Sequence, residues 1–324
     1  MGRKSFNKYR MMLSADQLIS SMVGCTQPPA PFATLADEPN PKSSHLLVTA
    51  SFGRILRKRQ LDSFLPGRRL NVHPSLLPHY RGPAPVQHAL LNGERETGVC
   101  VIEMLKIKDG AVDSGDIWGC EKAKIADKTT FSQLRTVLGK QGGDLLVSVL
   151  RQMSRSTLEA RPQQFQQGFK LAPMITAANS FVDPKSQTAD QIAQIYRSLE
   201  KPVVLKFHKP GTNKDTGGTL LQLHQPQVLA LPKGPVDRTM APLPSTTRGI
   251  EMTAEMTANT PRPPVGFGIY DRKGTNSLII GCRGDTYLSI RSVRQENRTL
   301  LDAHEWWNGL NAGANPISLS GLAY

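Results

Sequence analysis

Hydrophobic spacing divides the chain into strand-like runs, helical stripes and stretches with no period. Residues 99–105 are apolar apart from Glu103, β-branched at Val99, Val101 and Ile102, and entered through Thr97-Gly98, which is the pattern of a buried parallel strand. Residues 45–51 form another β-rich run, and an apolar step at 70–73 ends on Asn71, Val72 and His73. Helical spacing predicts a short helix over 83–92, closed by Gly93. Thr130-x-x-Gln133 resembles a capping box, and it opens a stripe of Phe131, Leu134, Val137 and Leu138 that continues past Gly142-Gly143 to Leu145, Leu146, Val149 and Leu150. Thr188-x-x-Gln191 repeats the signal before Ile192, Ile195, Tyr196 and Leu199.

Beyond that helix the pattern turns to strands. Residues 203–207, 220–231, 267–270, 277–282 and 286–293 read as β, with Arg272-Lys273-Gly274 and Arg283-Gly284-Asp285 as turns, and a last helix is predicted over 302–308. Residues 232–264 are loaded with Pro, Thr, Met and Ala without apolar period and read as a flexible insertion. The chain therefore divides into an atypical segment 1–44, an α/β unit 45–162, a linker 163–184 and a β-rich unit 185–324.

Two groups capable of chemistry, the Asn71 carboxamide and the His73 imidazole, stand at the end of the step into 70–73. A third stands in the loop after 99–105, which reads Val112-Asp113-Ser114-Gly115-Asp116. Ligands of open α/β sheets sit in the crevice beyond the carboxyl ends of the strands, so these groups are expected to converge there. Taken singly, each has a plainer reading as a turn former or a satisfied core residue.

Charge adds a partner class. The 324 residues carry 40 Lys plus Arg against 26 Asp plus Glu, a net +14 that favours a polyanion. Arg57, Lys58, Arg59, Arg68 and Arg69 lie before Asn71, and further cations such as Lys206, Lys209, Lys214, Arg272, Arg283, Arg291 and Arg294 accompany the later strands. Cys25, Cys100, Cys120 and Cys282 show neither CxxC nor metal-ligand spacing, which suits free thiols in a reducing compartment and gives no metal site. Residues 1–23 are basic, Ser-containing and nearly free of acids, as in a mitochondrial presequence.

The segments NVHPSLLPHYRGPAP (71–85), ETGV (96–99) and AVDSGD (111–116) together resemble the formyltransferases that use 10-formyltetrahydrofolate, above all those acting on methionyl-tRNA. The resemblance runs from about Ser44 to Trp307. It implies catalytic roles for Asn71, His73 and Asp113, with Asp116 structural and Arg81 either anchoring the loop or touching substrate. It also implies a folate pocket formed by Arg54, Ile55, Leu56, Ser75, Leu76, Leu77, Pro78 and Val112. The implied fold is a doubly wound, mostly parallel Rossmann-like domain followed by a small OB-like β-barrel. The implied partners are 10-formyltetrahydrofolate as cosubstrate and initiator methionyl-tRNA, handled by a monomer in the mitochondrial matrix without a metal.

The residue types suit that chemistry. Formyl transfer to an amine places negative charge on the formyl oxygen, which Asn71 and a protonated His73 can each meet with a hydrogen bond. A carboxylate at Asp113 favours the charged imidazole and can take the proton of the attacking amine, directly or through a water. Two other readings of the same residues are an RNA-binding paralogue without turnover and an enzyme acting on a small amine such as an amino sugar nucleotide. The family opens with a strand, a glycine turn, a helix and a second strand, and 1–44 carry none of these, with 17–23 the one candidate for a strand and its pattern equally compatible with a helix. The reading is therefore of a shortened form or of a wrongly assigned start, with a folate site incomplete on one side.

Overall fold

The computed structural model describes residues 45–53, 55–105, 112–164, 167–208, 218–230, 260–310 and 316–322. Its first sheet contains β1 (Leu47–Ala50), β2 (Arg69–His73), β3 (Glu96–Glu103) and β4 (Ile117–Lys124), paired in that order. A short helix, α1 (Lys58–Asp62), joins β1 to β2, and these two strands run parallel with Ala50 opposite Val72. β3 is antiparallel to both β2 and β4.

The run at 99–105 is thus a buried strand but not a parallel one. A strand covered on both faces has the same composition in either direction, so its apolar run carries no information about polarity. The connection decides it. Residues 74–95 hold a loop and the seven-residue α2 (Pro85–Leu91), which spans about 10 Å, too little to carry the chain back along the sheet. β3 therefore starts at the end where β2 stops, with Cys100 opposite His73. Of the pairings among the described strands, only β1–β2 has the expected parallel sense. Residues 1–44, including 17–23, lie outside the described residues, and β1 is an edge of the described sheet.

The helix α3 (Phe131–Ser154) covers one face of this sheet. Its amino end is closed as expected: Thr130 Oγ1 accepts from the Gln133 N–H, and Gln133 Oε1 accepts from the Thr130 N–H at 2.9 Å. Leu134, Leu138, Leu146 and Val149 are buried, whereas Val137 is half exposed and lies off the stripe. Gly142 permits close approach, since a Cβ there would meet Val72 Cγ1 at 2.8 Å. Val72 faces the helix, so the strand's alternation turns Asn71 and His73 to the opposite face.

The named strands of the second sheet, β5 (Val203–His208), β6 (Thr219–His224), β7 (Gln227–Leu229), β8 (Phe267–Asp271), β9 (Ser277–Cys282), β10 (Thr286–Ile290), β11 (Ser292–Gln295), β12 (Leu300–Asp302) and β13 (Ile317–Ser320), pair antiparallel in the order β12-β11-β6-β5-β13-β8-β9-β10-β7. β5, β8 and β9 lie close to expectation. The expected strand 220–231 is two, β6 and β7, because Gln225 takes φ +48° before Pro226. The run 286–293 also divides, at exposed Arg291, into β10 and β11, which pair with different neighbours. β12 and β13 had no sequence signal. The sheet as described has two ends, β12 and β7.

Two helices pack with this sheet. α4 (Ala189–Leu199) carries the Thr188–Gln191 box, and α5 (Ala303–Leu310) runs through Gly309 to Leu310 and buries Trp306 and Trp307 with Phe207 and Leu205. Residues 231–259, most of the expected insertion, lie outside the described residues, as do Lys209 and Lys214. The remainder of the insertion is packed, not loose: Thr260 is buried, and the Pro263 and Pro264 carbonyls lie where a Cβ on Gly281 would be.

Candidate active site

Asn71 and His73 project from β2 onto the sheet face away from α3, and Asp113 reaches them from the connection between β3 and β4. Because β3 is antiparallel, it ends beside Leu70 at the start of β2, and Asp113 of the described part of the connection lies against Asn71 and His73. The three groups meet at the carboxyl end of β2, where His73 is the last strand residue and the N–H of Gly82 in the following loop bonds Asp113. Asp113 sits at φ +56°, a conformation aspartate tolerates, and Gly115 is required where the loop crosses the end of β3, since a Cβ would strike the Glu103 carbonyl oxygen. Gln163 Nε2 donates to the carbonyls of Asp113 and Gly115, each at 2.8 Å, and so pins the loop from the start of the expected linker.

The contacts orient all three side chains. Asn71 Nδ2 donates to Asp113 Oδ1 at 3.3 Å, and the Asn71 amide is held that way round because Thr49 on β1 donates its hydroxyl to Asn71 Oδ1 at 2.9 Å. His73, 4% exposed, places Nδ1 3.6 Å from Asp113 Oδ2, an ion-pair distance, while that oxygen accepts the Gly82 N–H at 3.1 Å. Its other nitrogen, Nε2, lies 2.9 Å from the Tyr80 carbonyl oxygen. A carbonyl only accepts, so Nε2 carries a proton and Nδ1 is the nitrogen left for reaction.

The loop after β2 is built to present that carbonyl. Tyr80 is held at φ +61°, unfavourable for a bulky residue, by bonds at several points. Its N–H donates to the Lys170 carbonyl at 2.6 Å, its hydroxyl donates to Glu94 at 2.5 Å, and Asn92 Nδ2 donates to that hydroxyl at 3.0 Å. Lys170 Nζ also donates to Glu94 at 2.7 Å. The Lys170 bond and then the Tyr80 bond hold the Glu94 carboxyl below its ordinary value, while burial and then Glu94 push the Tyr80 hydroxyl up. Gly82, at φ +118°, lets Ala172 close against the loop, since a Cβ would fall 2.6 Å from the Ala172 oxygen. Arg81 bonds Ala172 through its backbone and lays its guanidinium 4.7 Å above the Phe169 ring, which is an anchoring arrangement.

The expected folate residues separate into two sets. Ile55 and Val112 are exposed large apolar side chains, 68% and 52%, and Leu76 and Pro78 are half-buried. Leu56, Ser75 and Leu77 turn their side chains inward. Leu56 packs with Leu47, Leu61 and Phe64, and Leu77 with Cys100 and Ile102. Ser75 is fully buried and donates to the His79 carbonyl at 2.7 Å. Arg54 lies outside the described residues. Asp116 lines, with Arg69, Glu103 and Trp118, a cavity of about 360 Å³ whose lining includes none of Asn71, His73 and Asp113. Arg69 is no surface cation either; it is buried and donates to the Phe64 carbonyl at 2.9 and 2.7 Å.

Sequence reasoning missed Thr49, Tyr80, Gly82, Glu94, Gln163 and Lys170. Only the Arg-Gly in the motif pointed to any of them, at Gly82, since the others act through backbone groups or from distant positions.

Residues 33–150, the stretch that holds Asn71, His73 and Asp113, match the family model described as formyl transferase. The relatives are more particular. Over 262 residues, 81% of this chain, it is 31% identical to a Mus musculus protein named mitochondrial methionyl-tRNA formyltransferase. It is 38% identical over 159 residues, 49% of the chain, to the Homo sapiens protein of that name. Against methionyl-tRNA formyltransferase of Heliobacterium modesticaldum, identity is 40% over 136 residues, 42% of the chain. The chain spans 59%, 40% and 41% of those three proteins. Among solved structures, HypX from Aquifex aeolicus in complex with tetrahydrofolic acid has a similar fold, with a TM-score of 0.51 at 14% identity over 83% of this chain and 39% of that one.

Proposed function

We propose that this chain transfers a formyl group from 10-formyltetrahydrofolate to the amino group of methionyl-tRNA. The observation that carries the reading is the meeting of Asn71, His73 and Asp113 on one sheet face within the formyl transferase segment. As the amine adds to the formyl carbon, charge grows on the formyl oxygen; the Asn71 amide and the His73 Nδ1–H stabilise it as donors fixed in advance. Asp113 steadies the imidazolium and accepts the proton that the amine loses, directly or through a water. The C–N bond to the acceptor forms, the bond to the folate nitrogen breaks, and that nitrogen recovers a proton.

Folate is held beside this face by the turn after β1 and the loop before β4. β1 ends next to Val72, so the turn that leads to Ile55 emerges beside the His73 end of β2. Ile55 and Val112 offer the exposed apolar contact that a flat ring needs, with Leu76 and Pro78 completing the wall. Leu56, Ser75 and Leu77 support it from beneath. The tRNA is taken by the second unit, which we infer to be an OB-type barrel presenting exposed Arg272, Arg283, Arg291 and Arg294 to phosphates. We infer that the protein works in the mitochondrial matrix, in keeping with the names of its mammalian relatives.

The test presents the chain and 10-formyltetrahydrofolate with three acceptors: methionyl-tRNA, uncharged tRNA and an amino sugar nucleotide. Formylation of methionyl-tRNA alone supports the reading. Formylation of the sugar, or tRNA binding without any product, refutes it.

A further inference from the structure

A thiol pair lies on the same sheet face as His73 and takes no part in the chemistry above. Cys100 on β3 and Cys120 on β4 are directly opposed in the antiparallel register, and their sulfurs lie 2.8 Å apart. Directly opposed residues of such a ladder have Cα atoms about 4.5–5.5 Å apart, inside the range of about 4.4–6.8 Å that a disulfide spans. A bond between these sulfurs therefore asks for no movement of either strand.

The two thiols also differ in the way exchange requires. Cys120 is exposed, and the hydrogen bond from Cys100, helped by the nearby Lys122 ammonium, holds its thiol below the ordinary cysteine value. Cys100 is buried, and that same hydrogen bond together with burial pushes its thiol up. An accessible thiolate thus stands in front of a sheltered thiol that can resolve what it captures. Cys282 provides the contrast, being buried with its thiol pushed up to about 12 by burial.

We propose that Cys100 and Cys120 form a dithiol site that exchanges with low-molecular-weight disulfides and closes to a cross-strand disulfide. The Cys120 thiolate attacks one sulfur of the small disulfide, forming a mixed disulfide and releasing the other half as a thiolate. Cys100 then loses its proton and attacks Cys120 Sγ, which expels the second half. The protein loses two protons and two electrons, which reduce the small disulfide to two thiols. The site would tie β3 to β4 next to the His73 register position. It depends on neither the folate nor the tRNA reading.

The test treats the folded, reduced chain with glutathione disulfide, blocks remaining thiols with an alkylating reagent after denaturation, and maps the peptides by mass. The expected result is the loss of two hydrogens, a linked pair of peptides containing Cys100 and Cys120, alkylation of Cys282, and full reversal by dithiothreitol. In Cys100→Ser the reaction should stop at a stable glutathione adduct on Cys120, and in Cys120→Ser, an exposed and mild change, Cys100 should stay alkylatable. A lasting adduct on Cys120 of the unmodified chain, a link through Cys25 or Cys282, or no reaction at Cys120 overturns the proposal.

Discussion

The two sheets bury different things. Around the first, charged or titratable side chains lie inside: His73, Arg69 and Glu103 are all buried, and buried Gln163 and Thr49 serve as braces. Within the second, the interior is Phe207, Leu205, Leu221, Leu278, Trp307 and similar side chains, and its buried polar groups serve their own turns and strands. Asp271, for example, accepts from the N–H groups of Gly274 and Thr275, and Ser277 bonds Ser289 across the ladder. The first sheet is therefore an arrangement for holding polar groups at fixed distances, and the second is an apolar core that leaves its cations outside.

That contrast can be broken by mutation. The largest expected effect is on the second core: Phe207→Ala should cost about 3–5 kcal/mol of stability, read by denaturant unfolding, because the side chain is buried against Trp306 with little room to relax. Folate binding should be spared, and an equal loss there would show that the sheets are not separable. Next comes Asn71→Ala, which removes a half-buried donor and should lower turnover by about a hundredfold, roughly 2.7 kcal/mol, with folate affinity and the unfolding midpoint little changed.

Glu94→Gln should act more weakly than Asn71→Ala and through Tyr80, slowing turnover while substrate affinity holds. It carries a pH signature. Glu94 is held below its ordinary value chiefly by the Lys170 bond, so its contribution is complete above the ordinary glutamate range and is lost as pH falls through the depressed folded value. The variant should lack that acid-side decline in stability; an unchanged decline would exclude Glu94 as its source. The smallest effect is for Arg294→Ala, an exposed cation of β11. It should leave formyl transfer chemistry intact and reduce the salt slope of tRNA binding by about one. An unaltered slope would remove Arg294 from the binding surface.

How much of this was legible follows from where the information resides. The helices at Thr130 and Thr188 were readable because a capping box and an apolar stripe are local, and both boxes form. The direction of β3 was not, because a strand buried on both faces has no polarity in its composition. β10 and β11 looked like one strand because nothing in Thr286–Gln295 signals that the chain changes neighbours at Arg291. At the site, the motif pointed to Asn71, His73 and Asp113, which the fold brings together. The groups that orient them were invisible, since Tyr80 acts by its carbonyl, Gly82 by its N–H, and Thr49 and Gln163 from far along the chain. Arg69 misled because a cation beside Arg68 reads as surface until its bonds to Phe64 are seen.

The role proposed for Asn71, His73 and Asp113 is formyl transfer to methionyl-tRNA. A single-turnover measurement tests it most directly: excess chain is mixed with methionyl-tRNA and formyl-labelled 10-formyltetrahydrofolate, and label in the aminoacyl-tRNA is followed over time for the unmodified chain and for His73→Ala. The account predicts labelled formylmethionyl-tRNA from the unmodified chain and a rate about a hundredfold lower or more from the variant. Equal rates from both proteins, or no label transferred by the unmodified chain, would contradict it.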